Sequence, residues 1–425
     1  MNRFILTTKE RREKMLRELD ITATGELFCG ISEDVRIKAP FTLPEALGEY
    51  DLKKVMQNLA GRNISASDAV CFLGAGVYDH FVPSIVNKLT EYVAFCINGH
   101  RINECEGILQ AVYELQIYMQ RLTGMKYIAM FSGISAALEE TIRISCDVCS
   151  KKSIVVSRSV NPEYRRLLKT CCTAFDITLR EIGGDDGTTS LEELSKALEE
   201  NCACVIVQSP NYFGNIEDMD KLADAVHSAD ALFAAVTDPI SLALLKTPGE
   251  YNADITIGNG QPLGGALLYG AHYFAYMGVN DRLKEYIGEG IVTQSKGSFD
   301  ADGQYATHLL GMWSAAVYLS VMGSEGIKDV ARTCYSNACY TYEKLTASSA
   351  FKPAFNKPFF REFAVKATKK NVNDINNRML DYGMIGGVAL KNFYPELGNV
   401  WLVAVTEKRS ADEVELFVKE ASRSI

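Results

Sequence analysis

The chain has 425 residues, 47% of them hydrophobic and 23% charged, and carries a net charge of −9 at neutral pH. That length exceeds one ordinary hydrophobic core and implies a large domain, a smaller one and an N-terminal extension. The acidic balance, with no Lys/Arg cluster to offset it, argues against a nucleic-acid-binding surface. No apolar run approaches the roughly 20 residues of a membrane helix. The N-terminus, MNRFILTTKERREKM, lacks the apolar core of a signal peptide, so a cytoplasmic protein is expected.

Residues 1–70 read as an arm of short helices, TTKERREKMLRELD and then PEALGEYDLKKVMQNLAGRN, with Thr7 or Thr8 capping the first. Such an arm buries little alone and is expected to wrap the main body or a partner subunit. In FLGAGVYDHFVPSIVNKL, Gly74 and Gly76 permit a tight backbone approach, and Pro83 suits the first turn of the helix that follows. A polar loop, INGHRINECEG, leads into a long helix ended by Gly124. The strand Lys126 to Phe131 then meets SGISAALEETIRIS. There Ser132, Gly133 and Ser135 place backbone N–H groups and hydroxyls at a helix N-terminus, which is either a phosphate cup or a plain N-cap.

Further strands are predicted at Ser153 to Ser157, Ala174 to Glu181, Cys204 to Pro210, Ala231 to Pro239 and around Ile255 to Ile257, with helices at Ser190 to Glu200 and Met219 to Ala229. The pattern is an α/β fold with a mostly parallel seven-stranded sheet at residues 71–310. Connecting helices follow at 311–347, and a small α+β domain closes the chain at 348–425. That is the shape of the fold-type-I PLP-dependent transferases (PLP, pyridoxal phosphate). The twelve cysteines include Cys146-x-x-Cys149, Cys171-Cys172 and Cys202-x-Cys204. Cys146 and Cys149 fall in a helical pattern, whereas metal-binding pairs sit on tight turns, and no His pair stands at ligand spacing. Buried free thiols in a reducing compartment are expected.

In open α/β sheets the carboxyl ends of the strands face the ligand crevice. Asp238, Gln208, Ser209 and the loop from Gly258 to Gly265, including Gln261, therefore point there. An acid after one strand and a lysine after the next would make a PLP site, the carboxylate holding the pyridine nitrogen protonated and the amine forming the Schiff base. The acid is present. The lysine position reads Gly258-Asn259-Gly260-Gln261-Pro262, and Lys246, in LLKTPGE, falls too early. Without an amine there is no internal aldimine and no efficient transimination. Asp238 then has a second reading, as the cap of a turn or helix start in Thr237-Asp238-Pro239. The crevice shows glycines, amides and hydroxyls but no obvious carboxylate-binding arginine. Among the histidines, His100 reads as a solvent-exposed loop residue, His227 as structural, and His272 as packed. Asn392-Phe393-Tyr394-Pro395 reads as a partner contact or as an apolar cover.

Several segments resemble the glycine cleavage system P-protein, in particular the first (alpha) subunit of its two-subunit bacterial form: FLGAGVYDHFVPSIV, VNPEYRRLLK, VIVQSPNYFGNIEDM, DPISLALLKTPGEYNADI, NKPFFREF, GMIGGVALKNFYPELGN and VTEKRSADE, in order between Phe72 and Glu413. The resemblance implies glycine decarboxylation on PLP, with the aminomethyl group passed to a lipoyl carrier protein. It also implies that the lysine and its PLP belong to a homologous second subunit, that no coenzyme is bound covalently by this chain, and that a homo- or hetero-oligomer forms. Tyr78, Asp79 and His80 match a Tyr-Asp-His that the family keeps, and the functional reading is a trio at the interface mouth with His80 as a polar or proton-carrying group. The other reading has Asp79 capping the next helix and His80 hydrogen-bonded within the fold. Ser132, Gly133, Ser135, Asp238 and Gln261 become vestigial cofactor-binding positions. The chain departs from the family where a Tyr-Gln-Pro-Glu run has become GHRINECEG, where Tyr-Asp-Gly-Ala-Thr has become Phe131 to Ser135, and where a long loop has shrunk to VTQSKGSFDADGQYATHLL. Those departures keep open a catalytically inactive paralogue acting as scaffold or regulator, and an independent PLP enzyme using Lys246 is the third possibility.

Overall fold

The computed structural model describes residues 8–37, 42–97, 106–184, 186–198, 201–267, 273–287, 290–295, 298–301 and 308–423. The chain divides into two compact units, Met1–Asn63 and Ile64–Ile425. In the first, helix α1 (Lys9–Glu18) starts at Thr8, whose hydroxyl accepts the Arg11 N–H at 3.3 Å. Helix α2 (Glu49–Ala60) carries Leu52, Val55, Met56 and Leu59 on one side, all exposed, and neither helix buries a residue.

The second unit opens with β1 (Val70–Cys71) and helices α3 (Ser84–Ile97) and α4 (Glu106–Thr123). It then alternates strands and helices: β2 (Tyr127–Phe131), α5 (Ile134–Cys149), β3 (Ser153–Ser157), α6 (Pro162–Ala174), β4 (Thr178–Ile182), α7 (Leu191–Leu198), β5 (Cys204–Ser209), α8 (Met219–Ser228), β6 (Leu232–Thr237), β7 (Ile255–Asn259) and β8 (Ala275–Val279). The strands form a seven-stranded sheet in the order β2-β8-β7-β6-β5-β3-β4, parallel except for β8, which runs against both neighbours. Alternate residues serve opposite faces, as the two-residue period of a strand requires. Cys204, Ile206, Ala234 and Val236 pack with α5 and α6, whereas Val205, Val207, Phe233 and Ala235 pack with α7 and α8. Burial on both faces is why these strands read as unbroken apolar runs.

Strand β8 is absent from the sequence-based strands. AYMGV has one β-branched residue and an interior glycine, so its propensity is weak, and burial between β2 and β7 makes it a strand. In the segment from residue 292, β9 (Val292–Ser295) pairs antiparallel with β10 (Ser298–Ala301). Helix α9 (Leu309–Ala347) runs 39 residues and breaks its helical dihedrals at Gly323, φ 60°. It leads into the four-stranded sheet of β11 (Phe351–Pro353), β12 (Glu362–Ala367), β14 (Val388–Ala389) and β15 (Val400–Ala404), in the order β11-β12-β15-β14. Around it lie α10 (Val372–Asp381), β13 (Met384–Ile385) and α11 (Ala411–Ser422), and β13 pairs with β1. No described helix is long and apolar enough to cross a membrane.

Register defines the working edge of the large sheet. Ser209 stands opposite Thr237, Thr237 opposite Gly258, and both Asn259 and Phe131 opposite Ala275. Asp238, Gly260 and Ser132 therefore leave the sheet at one carboxyl edge, as the sequence implied. Arg361, one residue before β12, meets Asp238 from the small sheet.

Candidate functional site

The loop Gly74-Ala75-Gly76 wraps the carboxyl group of Glu362. A Cβ on Gly74 would meet Glu362 Oε1 at 2.2 Å, which is the close approach that its glycine permits. The Ala75 N–H donates to Glu362 Oε1 at 2.7 Å and the Tyr78 hydroxyl to Oε2 at 2.9 Å. Burial pushes Glu362 up to about 7, and those two donors only partly oppose it. The same burial, with the charge of Glu362 beside it, drives Tyr78 well above the usual phenol range.

Arg361 is the hub of the cleft. Only 2% of its side chain is exposed, one nitrogen donates to Asp238 Oδ1 at 2.7 Å, and another donates to His80 Nε2. The guanidinium lies 3.6 Å from the centre of the Tyr78 ring. Because Arg361 can only donate, His80 Nε2 must accept, which puts the imidazole proton on Nδ1 and directs it to Glu407 Oε2 at 2.7 Å. Glu407 also accepts the Phe81 N–H at 2.7 Å and the Cys334 thiol at 3.2 Å. Burial alone would raise Glu407, but these donors and His80 outweigh it and hold the carboxyl at about 2. The result is a chain of partners, Asp238–Arg361–His80–Glu407–Cys334, joining the large sheet, the Tyr78–His80 loop, α9 and the segment after β15.

The sequence-predicted residues fall unevenly around this hub. Asp79 is buried and does not cap the next helix; its carboxylate takes Lys408 at 2.7 Å and Arg409 at 3.1 Å. His80 is hydrogen-bonded within the fold. Asp238 Oδ1 accepts the Ile240 N–H at 3.4 Å, as a turn cap would, and its shorter bond is the ion pair with Arg361 at 2.7 Å, which the sequence did not indicate. Gln261 clamps the loop: its Oε1 accepts the Tyr78 N–H at 3.1 Å, and its Nε2 donates to the Tyr78 carbonyl at 3.0 Å and that of Gly265 at 2.8 Å. Gly133 is the N-cap of α5, with no side-chain cap bond, and Ser132 and Ser135 are exposed, so neither serine caps the helix. Lys246 pairs with Asp220 at 2.5 Å, away from the cleft. His227 bonds Asp254 at 2.9 Å, and Tyr394 is an apolar cover whose hydroxyl donates to the Arg158 carbonyl at 2.7 Å. His308 is the residue before α9, lowered to about 4 by burial. His100 and His272 lie outside the described residues.

These residues do not fit a coenzyme of the PLP type. The acid that would face a pyridine nitrogen already faces Arg361, Gln261 offers an amide committed to Tyr78, and Ser132, Gly133 and Ser135 do not line the cleft. The cavity bounded by Tyr78, Asp238, Arg361 and Glu362 is about 50 Å³, room for a few water-sized groups. A metal is likewise disfavoured. His80, Cys334 and Glu407 bring donor atoms within 4.8 Å of one another, a set that suits zinc. A liganding histidine, however, donates its other ring N–H, and here that nitrogen accepts from Arg361. The ten described cysteines are free thiols, and burial raises Cys334 along with Cys146, Cys149, Cys172, Cys202 and Cys204.

The sequence profile of the glycine cleavage system P-protein matches residues 2–312. A Moorella thermoacetica protein named "Probable glycine dehydrogenase (decarboxylating) subunit 1" is 36% identical over 444 residues, covering 98% of each chain. A crystal structure of glycine decarboxylase (P-protein) of the glycine cleavage system, in inhibitor-bound form, superposes with a TM-score of 0.86 at 28% identity, covering 99% of both chains. A Burkholderia pseudomallei sphingosine-1-phosphate lyase superposes with a TM-score of 0.70 at 12% identity, over 90% of this chain and 92% of its own, and shares the fold alone.

Proposed function

The chain belongs to the glycine cleavage system P-protein family, and from that membership we propose that it is the first subunit of a two-chain glycine decarboxylase. A homologous second subunit carries the lysine and its PLP, and together they decarboxylate glycine and pass the aminomethyl group to a lipoyl carrier protein. The observation that carries this reading is the end of β7. It offers Gly260-Gln261-Pro262 where an amine would stand, in a chain similar over nearly its whole length to a first subunit. PLP supplies the electron sink for decarboxylation, and it supplies it from the partner.

The contribution of this chain is then shape at the mouth of the partner's site. Asp79 and His80 are buried and cannot touch a partner, but they fix the loop that presents Val77 and Phe81, which are 39% and 60% exposed. Ile85, at the start of α3, extends that apolar surface. Surface of this kind on a fold-type-I body is covered by a second copy or a homologue. The test is to purify this chain and the lysine-bearing homologue separately and together, and to follow glycine–bicarbonate exchange. Co-purification and exchange that requires both chains support the proposal. Equal exchange by the homologue alone contradicts it.

A further inference from the structure

Glu362 differs from the other buried acids of the cleft region in its partners. Asp79 has two cations, Asp238 has Arg361, and Glu407, which faces the neutral His80, has three donors that hold its carboxyl low. Glu362, 4% exposed, receives only the neutral Ala75 N–H and Tyr78 O–H. Arg361 lies next to it in sequence but directs its bonds to Asp238 and His80. A buried carboxylate is normally paired with a charge or else protonated. Glu362 also lines the 50 Å³ cavity, and among the lining residues described two carboxyl groups stand against one guanidinium, with the rings of Tyr78, Tyr164 and Phe360 beside them. An aromatic wall next to a carboxyl that has no ion pair of its own, and only the field of Arg361 nearby, favours a cation.

We propose that this cleft is a binding site for a small primary ammonium compound, its charged end seated on Glu362 in the field of Asp238. At roughly 10–15 Å³ for each water-sized group, the cavity admits on the order of three to five non-hydrogen atoms. That range takes methylammonium or ethylammonium and excludes a phosphorylated pyridine. A simple carboxylate is repelled by the two acids and finds Arg361 already engaged. The site belongs to this chain alone and does not depend on a partner subunit.

The ligand's charge requires ionised Glu362. The groups facing that carboxyl are Ala75 and Tyr78 from the loop before α3, Arg361 from the position preceding it, Asp238 from the end of β6, and Tyr212 from the segment after β5. With the carboxyl at about 7, the apparent Kd falls about tenfold between pH 6 and pH 8, as a proton is displaced on binding. Calorimetric titration of the full chain with methylammonium, ethylammonium, tetramethylammonium and acetate tests this. Binding of the first two with that pH dependence, and of neither control, is expected. Glu362→Gln should abolish the pH dependence and weaken binding at least about tenfold. Tyr78→Phe keeps the ring but removes a donor to Glu362, so it should move the midpoint to higher pH. Failure of both amines to bind the folded wild-type chain, pH-independent binding, or equal binding of acetate overturns the proposal.

Discussion

Arg361 shows how one side chain can close a site. Its guanidinium neutralises Asp238, sets the tautomer of His80 and stacks on Tyr78, all while 2% exposed. Removing one member of a buried ion pair leaves the other charge uncompensated, so Arg361→Met should lower stability by about 3–5 kcal/mol. Adding Asp238→Asn should recover a large part of that loss. Urea denaturation of the two single variants and the double variant reads the coupling, and simple additivity would mean that the pair does not act as one unit. Glu362 and Glu407 pull the pH profile in opposite directions. Glu362 is raised to about 7, so its contribution is full below the ordinary carboxylate value of 4.5 and is lost as pH rises through 7. Glu407 is lowered to about 2, so its contribution is full above 4.5 and is lost as pH falls through 2. Denaturation midpoints measured from pH 3 to pH 8 should therefore peak near pH 4.5 as far as these two groups govern them, and Glu362→Gln should flatten the alkaline limb alone.

The elements around the site were legible to different degrees, for physical reasons. Strands β5, β6 and β7 are apolar runs of strand length between helical patterns, so Asp238 and the missing lysine could be placed from sequence. Gly74 and Gly76 likewise announced a close approach, although not its target, Glu362. Strand β8 carries no such pattern, and the start of α5 looked like a serine cap when its N-cap is Gly133. Ser132 is exposed and makes no cap bond, so Ser132→Ala should change stability by less than about 0.5 kcal/mol in thermal or urea denaturation. Loss of about 1 kcal/mol or more would restore the cap. Gly74→Ala should behave in the opposite way. Its Cβ meets Glu362 Oε1 at 2.2 Å and the Ala404 side chain, on the central strand β15, at 2.5 Å, so a loss of about 1–3 kcal/mol is expected.

At the scale of the whole molecule, the fold and the absent amine follow from local pattern, but the closure of the cleft does not. Asp238 and Arg361 are 123 positions apart, and His80 and Glu407 327. FFREF reads as the start of a strand, and nothing local says that its arginine lies over an acid on the other sheet. The crevice consequently looked open and without an arginine in sequence, whereas in the structure it holds one that is already engaged. The same distance in sequence hid the His80–Cys334–Glu407 chain behind a reading of scattered thiols. The chain as a whole is thus a fold-type-I body in which Arg361 engages the acid at the end of β6, and under the proposed function this is a coenzyme position filled by the chain's own side chains, with the exposed Val77 and Phe81 offered to a partner. The most direct test of that claim is to incubate the isolated chain with PLP, reduce with borohydride and map any adduct by mass spectrometry. No aldimine absorbance and no reduced adduct at a defined site are expected, even though Lys246 is half exposed. Stoichiometric labelling of a single lysine, with glycine turnover by the isolated chain, would contradict that claim.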